Sequence, residues 1–114
     1  MYSCKVLIEK VRELVAKSPN NVYSKEGNTE GNGCSYNQGL CLDKSEGCIM
    51  GQALRLMGIN TSNLKDYLMA ELPKMDFEYS NNQLSWLHSV QMRQDIGKTW
   101  LEAMQYADLH YPGV

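Results

Sequence analysis

Along most of the chain, apolar residues recur every three or four positions with polar residues between them, which is the spacing of amphipathic helices. Cys4, Leu7, Ile8, Val11, Leu14 and Val15 fall on one face of a first helix, and Lys5, Glu9, Arg12 and Glu13 on the other. Ser3 is placed to cap its start and Ser18-Pro19 to end it. A second helix is expected from near Asp43, where Asp43 and Glu46 have capping-box spacing. Its body runs from Cys48 to Met57, and Gly58 stops it. A third, short helix should open at Thr61 or Ser62, share a face of Leu64, Tyr67, Leu68 and Leu72, and close at Pro73.

Two further capping boxes follow. Ser80 with Gln83 opens a fourth helix, carrying Leu84, Leu87 and Gln91 on one stripe, Trp86, Val90 and Arg93 on another, and ending at Gly97. Thr99 with Glu102 opens a fifth, whose inner face is Trp100, Ala103, Met104 and Ala107.

Asn20 to Gly47 lacks this period. It is rich in Gly, Asn and Ser, and the tract Gly27 to Gly33 suits turns and positive φ. Val22-Tyr23 and Cys34-Ser35-Tyr36, on either side of that tract, are short strand candidates. The expected fold is mainly α, four to five short helices with a small antiparallel β-hairpin (α+β), over residues 1–114 as a single domain.

Composition narrows the partners. With 11 Lys and Arg against 13 Asp and Glu, the net charge is -2, which argues against a generic binder of nucleic-acid backbone. No apolar run is long enough for a membrane span, and the opening residues lack the pattern of a signal peptide. The expected compartment is the cytoplasm, and the four cysteines (Cys4, Cys34, Cys41 and Cys48) are expected as free thiols.

Little familiar catalytic chemistry is visible. Cys34, Cys41 and Cys48 are separated by six residues each, a poor zinc spacing, so no metal or cofactor is expected. Cys48, in the first turn expected of the second helix, has a position that lowers thiol pKa but no base at a recognisable spacing. The richest polar cluster is Gln91, Arg93, Gln94 and Asp95, followed by Trp100. Arg93 offers a planar donor fork for a phosphate or carboxylate, unless it pairs with Asp95. Gln91 and Gln94 suit the polar edges of a base or sugar, and Trp100 suits stacking, unless it packs in the core.

Two stretches carry a resemblance. They are Cys34-x-Tyr36 with Gly47-Cys48-Ile49-Met50-Gly51-Gln52-Ala53-Leu54, and Gln91-x-Arg93-Gln94-Asp95-x-Gly97-x-x-Trp100. Together the chain resembles small uncharacterised proteins of bacteriophages and actinobacteria. Cys41 and a longer Gly/Asn loop depart from that pattern. The resemblance implies a non-enzymatic, phage-type binding protein in the host cytoplasm, a counter-defence sponge that sequesters a small nucleotide-derived immune signal. Tyr36 and Trp100 would stack on a base, Arg55 and Arg93 would pair with phosphates, and Gln52, Gln91 and Gln94 would read polar edges. The alternatives are a protein-binding inhibitor of a host factor and, third, a small cysteine-dependent enzyme. A homo-oligomer is compatible with each.

Overall fold

The computed structural model describes residues 2–22, 48–64 and 67–114. Strand β1 (Tyr2–Ser3) leads into helix α1 (Cys4–Lys17). Then come α2 (Ile49–Leu56) and α3 (Leu68–Glu71), the latter continued by a 3-10 turn over Leu72–Lys74. Strand β2 (Phe77–Glu78), α4 (Asn81–Asp95) and α5 (Trp100–His110) complete the chain. The mainly helical expectation holds, with five α-helices among the described residues.

The sheet differs from expectation. β1 and β2 pair in parallel, Tyr2 opposite Phe77 and Ser3 opposite Glu78, so the described sheet is not an antiparallel hairpin. Its strands come from the entrance to α1 and the entrance to α4, far apart in sequence, and neither has the length to show an alternating pattern. Most of the expected hairpin, with the Gly27–Gly33 tract, lies outside the described residues, as do Asp43 and Glu46. α2 itself starts at Ile49, with Cys48 as its extended N-cap and not within its first turn, so the expected start near Asp43 is not that of this helix. Val22 is described, and it forms an isolated antiparallel bridge with Thr99 instead.

Helix ends follow local chemistry wherever the cap lies within the segment. The Ser3 side chain accepts from the Lys5 amide, and α1 stops at Ser18. Both Ser80–Gln83 and Thr99–Glu102 form complete capping boxes. Gly58 and Gly97 follow α2 and α4 at φ 82° and 94°, the left-handed conformation that ends a helix and that a side chain resists. The α5 N-terminus has further acceptors. The Asn21 carbonyl takes the Trp100 amide at 2.9 Å and the Pro19 carbonyl takes the Leu101 amide at 3.0 Å. The exit of α1 thus satisfies donors that a helix leaves open.

The third helix departs most from its sequence pattern. It starts at Leu68 rather than Thr61 or Ser62, and Pro73 sits inside the 3-10 turn instead of closing the element. Thr61 and Ser62 instead lie in a turn, where the Thr61 carbonyl takes the Leu64 amide and Asn60 Oδ1 takes the Ser62 amide.

α4 is the central element, packed against α1, α2, α3 and α5. The core around it includes Leu7 and Val11 of α1, Ile49, Met50 and Leu54 of α2, Leu68, and Ala103 and Ala107 of α5. Trp86, Leu87 and Val90 of α4 are fully buried in it. Leu14 and Met104, expected inside, are partly buried against this core.

One polar junction ties α1, α4 and α5. Arg12 donates to both carboxylate oxygens of Asp108, at 2.8 and 3.0 Å, and to the Val114 carbonyl at 3.0 Å. Trp86 Nε1 donates to the same carboxylate at 2.9 Å, and the Arg12 guanidinium stands 4.9 Å from the Trp86 ring centre. The sequence pattern put Arg12 on the outer face of α1. Its two-pronged pairing with Asp108 draws it to the seam, and the hydrogen bonds from Arg12, foremost, and Trp86 hold the Asp108 carboxyl below its ordinary range.

Candidate functional site

α2 and α3 begin without a cap of their own. Cys48 and Tyr67 occupy their N-cap positions, and neither makes a side-chain capping bond. The missing acceptors come from α4. Gln94 Oε1 accepts from the Ile49 amide at 2.8 Å, and Gln91 Oε1 accepts from the Leu68 amide, also at 2.8 Å. Both glutamines have zero exposure, and Gln94 also donates from Nε2 to Asp95 at 2.7 Å. A buried amide without an acceptor is expensive, so these two carbonyls have structural work where they stand.

The other candidate residues are dispersed. Trp100 is 3% exposed and belongs to the core, with no partner for its Nε1 among the described residues. Gln52 and Arg55 are buried on α2, where Arg55 donates to Thr61 Oγ1 at 3.0 Å. Tyr36 lies outside the described residues. Of the six described residues expected to make one pocket, Arg93 alone lines the groove described next.

That groove has a volume of about 240 Å³ and runs between α4, α5 and α3. Its α4 wall is Ser85, His88, Ser89, Met92 and Arg93, which share one stripe of the helix. Tyr106 and Tyr111 close it from the α5 side and Met69 from α3. The Arg93 guanidinium carbon sits 3.6 Å from the centre of the Tyr106 ring, a close cation–π contact. The same ring stacks on His110 at 4.1 Å. Asp95, the carboxylate nearest to Arg93 in sequence, receives Gln94, and no carboxylate pairs with Arg93 among the described residues.

Two more polar groups of the groove wall are unused. Ser89 is 9% exposed, and its Oγ has no hydrogen-bond partner among the described residues. His88 Nδ1 is likewise out of solvent contact and unpartnered among them. The His88 ring meets Tyr67 edge-on at 5.9 Å. Burial pushes its pKa below the ordinary value of 6.5, so the imidazole is held neutral near pH 7.

Of the two described cysteines, Cys4 is the free thiol expected and Cys48 is not. Cys4 is free and buried, and burial pushes its thiol up to about 11. Cys48 is disulfide-bonded. The spacing of cysteines along a chain does not reveal which of them folding brings together, so this bond was not readable beforehand. Among the described residues, no group of three or more His, Cys, Asp or Glu side chains is arranged to hold a metal ion. No helix among them is long and apolar enough to cross a membrane.

Sequence reading missed His88, Ser89 and Tyr106. The signal was present in the spacing of Ser85, His88, Ser89, Met92 and Arg93, a polar stripe on a helix whose other sides are packed. No family model, no curated protein and no solved structure matches the chain.

Proposed function

We propose that the chain is a non-enzymatic binding protein and that its ligand, a small nucleotide-like anion, occupies the groove between α3, α4 and α5. The observation that carries this reading is Arg93, a guanidinium in a concave site, oriented by the Tyr106 ring and paired with no carboxylate among the described residues. Such a group recognises phosphate well, because its planar fork matches the anion and its charge is permanent. Cys4 is held protonated and Cys48 is in a disulfide, so neither supplies a thiolate nucleophile.

The groove size limits the ligand. At about 240 Å³ it lies below the usual small-molecule pocket range of roughly 300–1,000 Å³. One copy of the chain suits one mononucleotide-sized unit, and a whole dinucleotide would need a second copy. On the resemblance to phage proteins, the ligand would be a host signal and the role its sequestration.

A second reading has one observation in its favour. Met69 and Met92 flank the groove at 39% and 37% exposure, an adaptable apolar rim suited to a side chain of a host protein.

The test is an NMR titration of the wild-type chain and R93A with adenosine monophosphate. Shifts confined to the groove in wild type, lost in a folded R93A, support the first reading. A wild type that does not respond at millimolar nucleotide overturns it and leaves the protein-binding reading.

A further inference from the structure

We infer that the groove contains a phosphate-monoester subsite in which Arg93, Ser89 and His88 together coordinate a single tetrahedral anion. This rests on the groove being the ligand site, and it adds which end of the ligand enters and which atoms hold it.

Three observations converge on one wall. Arg93 brings a fixed positive charge with no carboxylate partner among the described residues. Ser89 brings a hydroxyl that is more than nine-tenths buried, yet hydrogen-bonded to nothing among the described residues. His88, its neighbour in sequence and itself partly buried, brings a ring nitrogen that is out of solvent contact and has no hydrogen-bond partner among the described residues. Buried polar atoms are nearly always satisfied, so two adjacent exceptions on a groove wall call for a partner from outside the chain. Arg93 is four positions after Ser89, one helical turn along the same stripe.

The chemistry favours phosphate over carboxylate. Three separate donors match the three terminal oxygens of a phosphate monoester, whereas a carboxylate offers two oxygens in one plane. Ser89 reaches an oxygen by rotation of its hydroxyl, and His88 donates from Nδ1 as the neutral Nδ1–H tautomer or as imidazolium. Among the described residues, the remaining titratable groups around His88 are Tyr67 from the segment before α3, Tyr106 and Tyr111 from the α5 side, and Arg93 on α4. Among the described residues, no carboxylate lines the groove. An entering dianion then brings negative charge against His88. It favours the imidazolium, so binding draws a proton onto His88.

The experiment uses the full chain, with phenyl phosphate, benzoate and sodium sulfate as probes, by calorimetry and by long-range nitrogen NMR of the histidine ring. Phenyl phosphate should bind at least about tenfold more tightly than benzoate, and R93A should weaken it by about tenfold or more. S89A should weaken it by about threefold to tenfold. Sulfate keeps its charge across the range where histidine titrates, so its affinity should rise as pH falls from about 7.5 to 6. In the wild type, saturating sulfate should shift the His88 titration upward, a readout that depends on no variant folding.

Phenyl phosphate and benzoate binding equally, or a His88 titration unmoved by saturating sulfate, overturns the subsite. If the wild type binds adenosine monophosphate in the groove under those outcomes, the groove reading stands without it. If neither nucleotide nor phenyl phosphate binds, both fall.

Discussion

Two stripes of α4 carry polar side chains, and they use them in opposite ways. Gln91 and Gln94 face inward, have no exposure, and deliver their carbonyls to the first amides of α3 and α2. Ser85, His88, Ser89 and Arg93 face the groove, and none of them caps another helix among the described residues. In sequence the two sets are interleaved within a few residues, and Arg93 stands directly between Asp95's partner Gln94 and Gln91's neighbour Met92. Chemical type does not separate them. Position around the helix does: a polar group turned toward an uncapped helix start completes the fold, whereas one turned toward a cavity is available to a ligand.

The inward side should show the largest effects when cut. Leu87→Ala, in the fully buried core beside the glutamines, should cost about 2–5 kcal/mol in chemical denaturation. An unchanged midpoint and slope would put the centre of the fold elsewhere. Gln91→Ala and Gln94→Ala should each cost about 1–3 kcal/mol, because each leaves a buried amide without its acceptor. Hydrogen exchange localises the loss: Leu68 should exchange faster in the first variant and Ile49 in the second. Uniform exchange changes in both would dissolve the distinction between the two stripes.

Acid should reveal two steps. His88 has a folded pKa below its ordinary 6.5, so the folded state binds fewer protons there than the unfolded chain. Its contribution is present above pH 6.5 and is lost as pH falls from there through the lower folded value. Asp108 is also depressed, so its contribution is present above the ordinary 3.8 and is lost below it, as pH falls through the folded value. The second step should be small, since the Arg12–Asp108 pair is about two-fifths exposed. His88→Gln should remove the upper step and Asp108→Asn the lower, in thermal melts across pH. Persistence of the upper step in His88→Gln would assign it to another group.

The smallest effect belongs to the groove. Arg93→Ala should change stability by no more than about 1 kcal/mol, the value of a cation–π contact at a partly exposed site. A loss as large as that of Gln94→Ala would make Arg93 part of the fold and remove the contrast.

The same comparison explains what was legible beforehand. Ser3, Ser80 with Gln83 and Thr99 with Glu102 cap their own helices across two or three residues, so those starts could be read from the sequence. The stops at Gly58 and Gly97 were equally local. The start of α3 is set by a side chain 23 residues away, and that of α2 receives one 45 residues away. No pattern within either segment announces such a partner, and a buried glutamine looks the same in sequence as one that contacts a ligand. Arg93 was recognisable because its chemistry is distinctive. His88, Ser89 and Tyr106 were not, because their meeting depends on how α4 and α5 cross. The parallel pairing of β1 with β2 was hidden for the same reason.

The borrowed caps also set an order of assembly. α2 has eight residues and α3 four, both well under the roughly 12–15 at which isolated helices begin to persist. α4 has fifteen and closes its own first turn with a capping box. It can form early, and with it appear the two acceptors that α2 and α3 lack. By this reasoning the central helix should serve as a template on which its short neighbours form. In kinetic terms, substitutions in α4 should slow folding while those in α2 and α3 mainly hasten unfolding. The groove, walled by α4, α5 and α3, then becomes complete only when the last of these short pieces has docked.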